Sequence, residues 1–268
     1  MHPMLNIAIR AARAAGNLIV RYMDRVDRLN VATKAYNEFV SEVDHQAEQT
    51  IIEILRKAYP HHAVLGEEGG TRRGEDYLWV IDPLDGTTNF LHGFPQFSVS
   101  IALKYRDQLN QAVIYDPLRN ELFTATRGAG AQLNERRIRV SRCQHLKDAL
   151  LGTGFPYRFT TDVDAYLEIF KTLILNTTGI RRPGSAALDL AYVAAGRLDG
   201  FWEFGLQEWD MAAGALLIQE AGGLVTDPEG EHQYLSQGDI VTGTPKIQAA
   251  LLGVMQPHLA ALAQDRRK

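Results

Sequence analysis

Cysteine is almost absent: Cys143 stands alone among 268 residues, so no disulfide can form within the chain and a reducing compartment suits it. Nothing around that thiol points to activation, and it reads as a small apolar side chain. Charge of one sign is lacking as well. With 28 Lys and Arg against 32 Asp and Glu, the formal net charge of −4 gives no general attraction to nucleic acid or an anionic membrane. No stretch is long and apolar enough for a bilayer span to be expected. The N-terminal "MLNIAIRAARAAGNLIV" is broken by Arg10 and Arg13 and lacks a following A-x-A cleavage pattern. That argues against a targeting segment, and a soluble cytoplasmic protein is the default expectation. Internal repeats, low-complexity tracts and evident flexible linkers are also missing. What remains is ordinary globular composition, 46% hydrophobic and 22% charged, at a length that suits one large domain or two intimate ones.

The same N-terminal stretch places Leu5, Ala8, Ile9, Ala12, Ala15 and Ile19 at helical spacing, an amphipathic helix docked on a core. A second helix follows within residues 41–60, with Ala47, Ile51, Ile54, Leu55 and Ala58 on its apolar face and Pro60 as its stop. "AVLG" and "YLWVID" read as short buried strands that each run into acids. "FSVSIALKY", "LNQAVIYDP" and "ELFTATRGAGAQLN" read as antiparallel strands, with turns at Arg106-Asp107, 117–120 and 128–130. Later the texture changes to alternation: strand "ALLGTGFPY", helix "DAYLEIFKTLIL", helix "SAALDLAYVAAG", strand "LDGFWEFG", helix "DMAAGALLIQEAGG", strand "LVTD". The expectation is an α+β portion over 1–145 and an α/β portion over 146–268, packed as one catalytic unit with a site between them.

The acids carry the chemistry. In "WVIDPLDGTTNF" an apolar run stops at Asp82, a proline follows, and Asp85 leads into Gly86-Thr87-Thr88. Asp-Pro and Asp-Gly are ordinary turn chemistry. Asp210 reads equally well as the N-cap of the helix after it, and Asp44, three residues after Ser41, has capping-box spacing. Glu67 and Glu68 in "GEEGG" could be a plain exposed loop. The functional reading gathers these acids into one cluster. A buried strand ending in an acid delivers it to the sheet edge, where α/β folds place ligands. Mg²⁺ takes carboxylates, carbonyls and water, and completes its shell with substrate phosphate. Asp82 and Asp85 flank a rigid turn, with the Leu84 carbonyl between them, and backbone N–H groups of residues 86–88 at a helix start form an anion seat. Acids beside anion-binding amides imply metal-assisted phosphate chemistry, since only divalent cations would let phosphate enter such a pocket.

"WVIDPLDGTTNF", "WDMAAGALLIQEAGG" at 209–223 and "GEEGG" upstream resemble the signatures of the inositol monophosphatases, within the lithium-sensitive, magnesium-dependent phosphatase superfamily; matching residues run from 5 to about 255. The resemblance implies a layered αβαβα sandwich of the sugar phosphatase type, two to three Mg²⁺ per site, and a homodimer. Position by position, it implies that Glu67, Asp82 and the Leu84 carbonyl hold a first ion, that Asp82, Asp85 and Asp210 hold a second, and that a weaker third lies near Glu67. Thr87, hydrogen-bonded to Asp44, would orient and activate the attacking water, and the Gly86 and Thr87 amides would bind phosphate. Asp85, Ala186 and Glu203 would meet polyol hydroxyls, with Arg181, Gly184 and Ser185 shaping that wall and Lys34 near the mouth. Ser41 stands where many members have Thr, Glu38 where relatives often have Asp, and Pro183 where close relatives vary. None of these is an implied metal ligand.

The implied activity is hydrolysis of inositol monophosphates by metal-activated water, without a covalent intermediate. Fructose-1,6-bisphosphate, histidinol phosphate and phosphoadenosine phosphate are the alternative substrates, since pocket walls rather than the metal site set specificity. The residue pattern looks like a bacterial subgroup tied to ribosomal RNA antitermination, which implies transcription elongation factors and RNA polymerase as further partners, with Arg181 and Arg182 on an interaction or dimer surface. Strong direct RNA binding is not expected of an acidic chain. Phe201, Trp202 and Trp209 read as core and pocket wall, His61 and His62 as solvated surface, and His92 as outside the site.

Overall fold

The structure is a computed structural model and describes residues 2–23, 26, 31–35, 38–72, 74, 76–156 and 163–259. Helix α1 (Pro3–Tyr22) opens on Pro3, which needs no N–H partner there, and buries Leu5, Ala8, Ala12, Ala15 and Ile19 as the spacing predicts. The sequence reading did not foresee the next element, an antiparallel hairpin of β1 (Val31–Ala35) and β2 (Glu38–Ser41). Lys34 lies on it, and its side chain is outside the described residues. Helix α2 (Glu42–Ala58) begins with the capping box that Ser41 and Asp44 predict. Its buried face takes Ala47, Ile51, Ile52 and Leu55; Ala58 is exposed.

Next come β3 (Ala63–Gly66), β4 (Gly70–Arg72), β5 (Tyr77–Asp85), the short α3 (Thr87–Leu91), β6 (Ser98–Tyr105), β7 (Gln108–Asp116), β8 (Glu121–Thr126), β9 (Gly130–Leu133) and β10 (Arg136–Arg137). They form an eight-stranded sheet in the order β10-β9-β8-β7-β6-β5-β3-β4. Only the β3–β5 pair is parallel, so these two strands end on the same edge. Positive φ at Arg106, Asp107, Asn120, Gly128 and Gly130 marks the three predicted turns. His62 is not plain solvated surface. Its ring stacks between Tyr59 and Tyr77, with centroids 4.7 and 4.6 Å away, and accepts the Trp79 indole N–H at 3.1 Å.

The rest of the chain gives β11 (Leu150–Thr153), α4 (Val163–Asn176), β12 (Gly179–Arg181), α5 (Ala186–Ala194), β13 (Gly200–Glu203), α6 (Glu208–Ala221), β14 (Leu224–Thr226), α7 (Tyr234–Gln237), β15 (Ile240–Gly243) and α8 (Pro245–Met255). The smaller sheet runs β12-β11-β13-β15-β14, parallel as far as β13 and antiparallel beyond. The unforeseen β15 is what makes it mixed.

Alternation along β5 shows how the layers stack. Trp79 and Ile81 join α1 and α2 in one core, while Val80 joins α5 and α6 in another. That second core continues through Phe201 and Ile240 of the smaller sheet. Trp202 and Val241, on the opposite face, pack with α4 and α8. The result is the expected αβαβα sandwich. Helix α6 is apolar on every side because a sheet covers it on each side, whereas the outer α1 and α2 are amphipathic.

Candidate active site

On a regular strand, residues three apart face opposite ways, yet Asp82 and Asp85 do not. Asp82 pairs with Ser100 and Asp85 with Ser98, so three steps on β5 match two on β6. Ser98 and Ser100 share a face, and directly opposed residues point the same way, so this bulge brings both acids to the α5/α6 side. Pro83 sits inside it, where a missing N–H breaks no ladder bond. The Leu84 N–H donates to Asp82 Oδ1 at 3.0 Å, which fixes the turn, and the Leu84 side chain is buried on the other side with α2.

Gly86 follows in the left-handed region, φ 95°, where a Cβ would stand 2.9 Å from the Gln96 carbonyl. It caps α3 and delivers Thr87. The Thr87 hydroxyl lies 2.8 Å from Asp44 Oδ1 and 3.0 Å from the Leu84 carbonyl. One proton serves one acceptor, and the closer, charged carboxylate is the stronger. Asp44 Oδ2 is held by the Ser41 N–H and hydroxyl, at 2.8 and 2.6 Å. Glu67 lies in the turn after β3, its N–H bonded to the Ile81 carbonyl at 3.2 Å.

Helices α5 and α6 aim their N-termini at the same place. Ser185 caps α5, but its hydroxyl bonds Asp85 Oδ2 instead of its own helix, and the same oxygen accepts the Ala187 N–H at 2.9 Å. Asp85 therefore caps a helix a hundred residues away, a favourable seat for a carboxylate. Asp210 is not the N-cap of α6. Gln207 holds that position, and Asp210, at N3, accepts its N–H at 2.7 Å. The Ser100 hydroxyl donates to the Trp209 carbonyl at 3.3 Å, docking α6 on the strand opposite Asp82.

The wall beyond is formed by residues 181–186 and Glu203. Asn89 Nδ2 ties this loop to α3 through the Pro183 carbonyl at 2.8 Å and the Gly184 carbonyl at 3.2 Å. Gly184, at φ 86°, and Ala186 lead into α5. Glu203 ends β13 beside Gly154, where any side chain would overlap its carboxylate. Arg181 is exposed and turns back on the Ile180 carbonyl, while Arg182 lies 4.6 Å over the Phe155 ring, feeling Glu203 and Asp189. A cleft of about 600 Å³ lies at the N-terminus of α6, lined by Leu65, Gln207, Glu208 and Trp209 and by none of the acids above.

Among the buried acids that escaped the sequence reading, two bear on the site. Glu48 is 4% exposed and Asp189 1%. The signal existed: Glu48 falls on the α2 stripe of residues 44, 48, 51 and 55, and Asp189 interrupts a helix otherwise apolar all round. Asp189 Oδ1 has no hydrogen-bond partner among the described residues.

Burial pushes Asp82 well above the usual carboxylate range, and the charges of Glu67, Asp85 and Asp210 push it further. Burial raises Asp85 to about 6, against the hydrogen bonds from Ser185 and Ala187 that favour its ionised form. Asp189 is raised by burial, then by Glu203 and Asp85. Ionising this cluster calls for a cation. Among the described residues no three His, Cys, Asp or Glu stand close enough together to hold one by themselves. An open, all-oxygen set fits Mg²⁺, which keeps several waters and accepts substrate oxygens, better than it fits a caged metal.

The profile of the inositol monophosphatase family matches residues 1–265. The Nus factor SuhB of Pseudomonas aeruginosa is 61% identical over 265 residues, covering 97% of this chain and 98% of the relative. The crystal structure of extragenic suppressor protein suhB from Bartonella henselae superposes with a TM-score of 0.92 at 45% identity, covering 95% of this chain and 98% of that one. The inositol monophosphatase from Anabaena (Nostoc) superposes at 0.83 with 41% identity, covering 94% and 95%. The chain belongs to the inositol monophosphatase family.

Proposed function

We propose that the chain is a Mg²⁺-dependent phosphomonoesterase that hydrolyses inositol monophosphates to inositol and phosphate. The observation that carries this reading is the bulge that turns Asp82 and Asp85 to one face, opposite Asp210 and within the electrostatic reach of Glu67. Glu67, Asp82, the Leu84 carbonyl, Asp85 and Asp210 would hold two ions, with a third near Glu67. When bound, Mg²⁺ supplies charge neutralisation at phosphate and leaving oxygen and lowers the pKa of water.

The chain's own groups do the rest. Asp44, pinned by Ser41, accepts a hydrogen bond from the Thr87 hydroxyl, which leaves the Thr87 oxygen lone pairs to accept a hydrogen bond from the attacking water and aim it. With the Thr87 hydroxyl directed at Asp44, the Leu84 carbonyl stays available as a ligand. The Gly86 and Thr87 N–H groups would seat a phosphate oxygen. Asp85, Ser185, Ala186 and Glu203 would orient the polyol, with Gly184 and the arginines at 181 and 182 on its outer side. The family name carried by the Anabaena relative supports the inositol substrate. Phosphate release with Mg²⁺ from myo-inositol 1-phosphate, fructose-1,6-bisphosphate, histidinol phosphate and phosphoadenosine phosphate tests it. The highest kcat/KM is expected for the inositol ester. No release from any of them at saturating Mg²⁺ would overturn the phosphatase reading.

The Pseudomonas relative's name, Nus factor, favours a second role in which the chain, as a homodimer, engages transcription elongation factors and RNA polymerase. Capture of the transcription machinery by wild type and by Asp85→Asn alike is expected, since Asp85 is buried and offers little surface to a partner. Enrichment by neither would refute this role, and light scattering reads the mass of the free protein.

A further inference from the structure

Glu48 brings a charge into a buried helix face one turn beyond Asp44, and nothing in the reaction outlined above uses it. Its Oε2 accepts the Glu68 N–H at 2.9 Å. The carboxylate also lies against the backbone of Gly66: a Cβ built there would stand 2.7 Å from Glu48 Cδ, so the missing side chain is what admits it. Gly66 ends β3, and residues 67–69 form the turn that follows. The Glu67 N–H is bonded to the Ile81 carbonyl of β5. Consecutive amides at 67 and 68 are thus held by two different elements, the strand that carries Asp82 and the helix that carries Asp44. A carboxylate accepting a backbone N–H makes a charge-assisted bond, roughly twice as strong as a neutral one.

We infer that Glu48 is a positioning residue for Glu67: by fastening the 67–69 turn to α2, it sets where the Glu67 carboxylate stands relative to Asp82, and so sets the affinity for a divalent cation. Asp44 and Glu48, four residues apart on one face of α2, make that helix the common base for the Thr87 arm and the Glu67 arm. The metal half of this inference rests on Glu67 being a ligand.

The test is a calorimetric Mg²⁺ titration of the full chain and its variants, with amide hydrogen exchange of the metal-free protein. Glu48→Ala and Gly66→Ala, the latter displacing the Glu48 carboxylate, weaken Mg²⁺ binding about tenfold or more. Glu48→Gln keeps an oxygen for the Glu68 N–H and retains most of the affinity. Wild-type affinity in Glu48→Ala, or Glu48→Gln as weak as Glu48→Ala, overturns the inference. Should the alanine variants fail to fold, Glu48→Asp keeps the charge but falls one methylene short, and affinity equal to that of Glu48→Gln counts against positioning. The Glu68 amide exchanges faster in Glu48→Ala (or Glu48→Asp) than in wild type. Unchanged exchange refutes the clamp by itself, whereas absence of Mg²⁺ binding by wild type refutes the ligand assignment of Glu67 and with it the metal half.

Discussion

Asp85 owes its character to partners far away in sequence. Burial raises its carboxyl from 3.8 to about 6, so the folded protein holds that proton more tightly than the unfolded chain. In the metal-free protein this contribution is fully favourable below about pH 4 and is lost as pH rises through about 6. A divalent cation favours the ionised form and reverses that dependence. Mg²⁺ therefore raises the melting temperature more at pH near 7.5 than near 5, and equal increments in thermal scans would contradict this account. Replacing Asp85 with Asn lowers kcat/KM by orders of magnitude in steady-state assays while the far-UV spectrum is retained, because its backbone partners can still reach the amide oxygen. Asp189 differs, since it is buried with an oxygen that finds no partner among the described residues. Its ionisation opposes folding increasingly as pH rises, so Asp189→Asn gains stability relative to wild type from about pH 5 to pH 9. Urea unfolding at both pH values reads that difference.

At the scale of elements, α5 and α6 are the pair on which the wall and the second set of acids ride. Gly214 lets them approach: a Cβ there would stand 2.6 Å from Leu190 Cδ1 of α5. Two effects compete in Gly214→Ala. Helix propensity favours alanine by about 1 kcal/mol, while overpacking a fixed interface costs about 1–3 kcal/mol. Leu190 is fully buried and cannot swing away, so the cost prevails. The variant is destabilised by about 1 kcal/mol or more in urea unfolding, and its activity falls as Ser185 and Asp210 separate.

Over the whole molecule, the three cores lie between layers, and the acids proposed as metal ligands are not among the residues that form them. Chelation with EDTA abolishes hydrolysis and leaves the far-UV circular dichroism unchanged; loss of helical signal would mean that the ions hold the layers together. Among the described residues no helix is long and apolar enough to cross a membrane.

Whatever is encoded within a few residues could be read from the chain itself. The capping box at Ser41 and Asp44, the three turns with positive φ and the apolar-all-round α6 are of this kind, because periodicity, caps and turn chemistry act locally, whereas β5 does not stop at Asp82 as the residues suggest but runs on through the bulge to Asp85. Strands β1 and β2 are short and without clear alternation, and β15 offers only Ile240 and Val241 as consecutive apolar residues, so neither announced itself. Other outcomes depended on which surfaces meet. A one-residue bulge against β6 decides that Asp82 and Asp85 share a face, and the α5 N-terminus decides what holds Asp85. Packing beneath Gly66 decides that Glu48 steadies the Glu67 turn. The sequence by itself determined which groups this protein can offer to phosphate and metal. The tertiary structure alone decided which of them meet, because burial and long-range hydrogen bonds depend on segments that local propensity cannot relate.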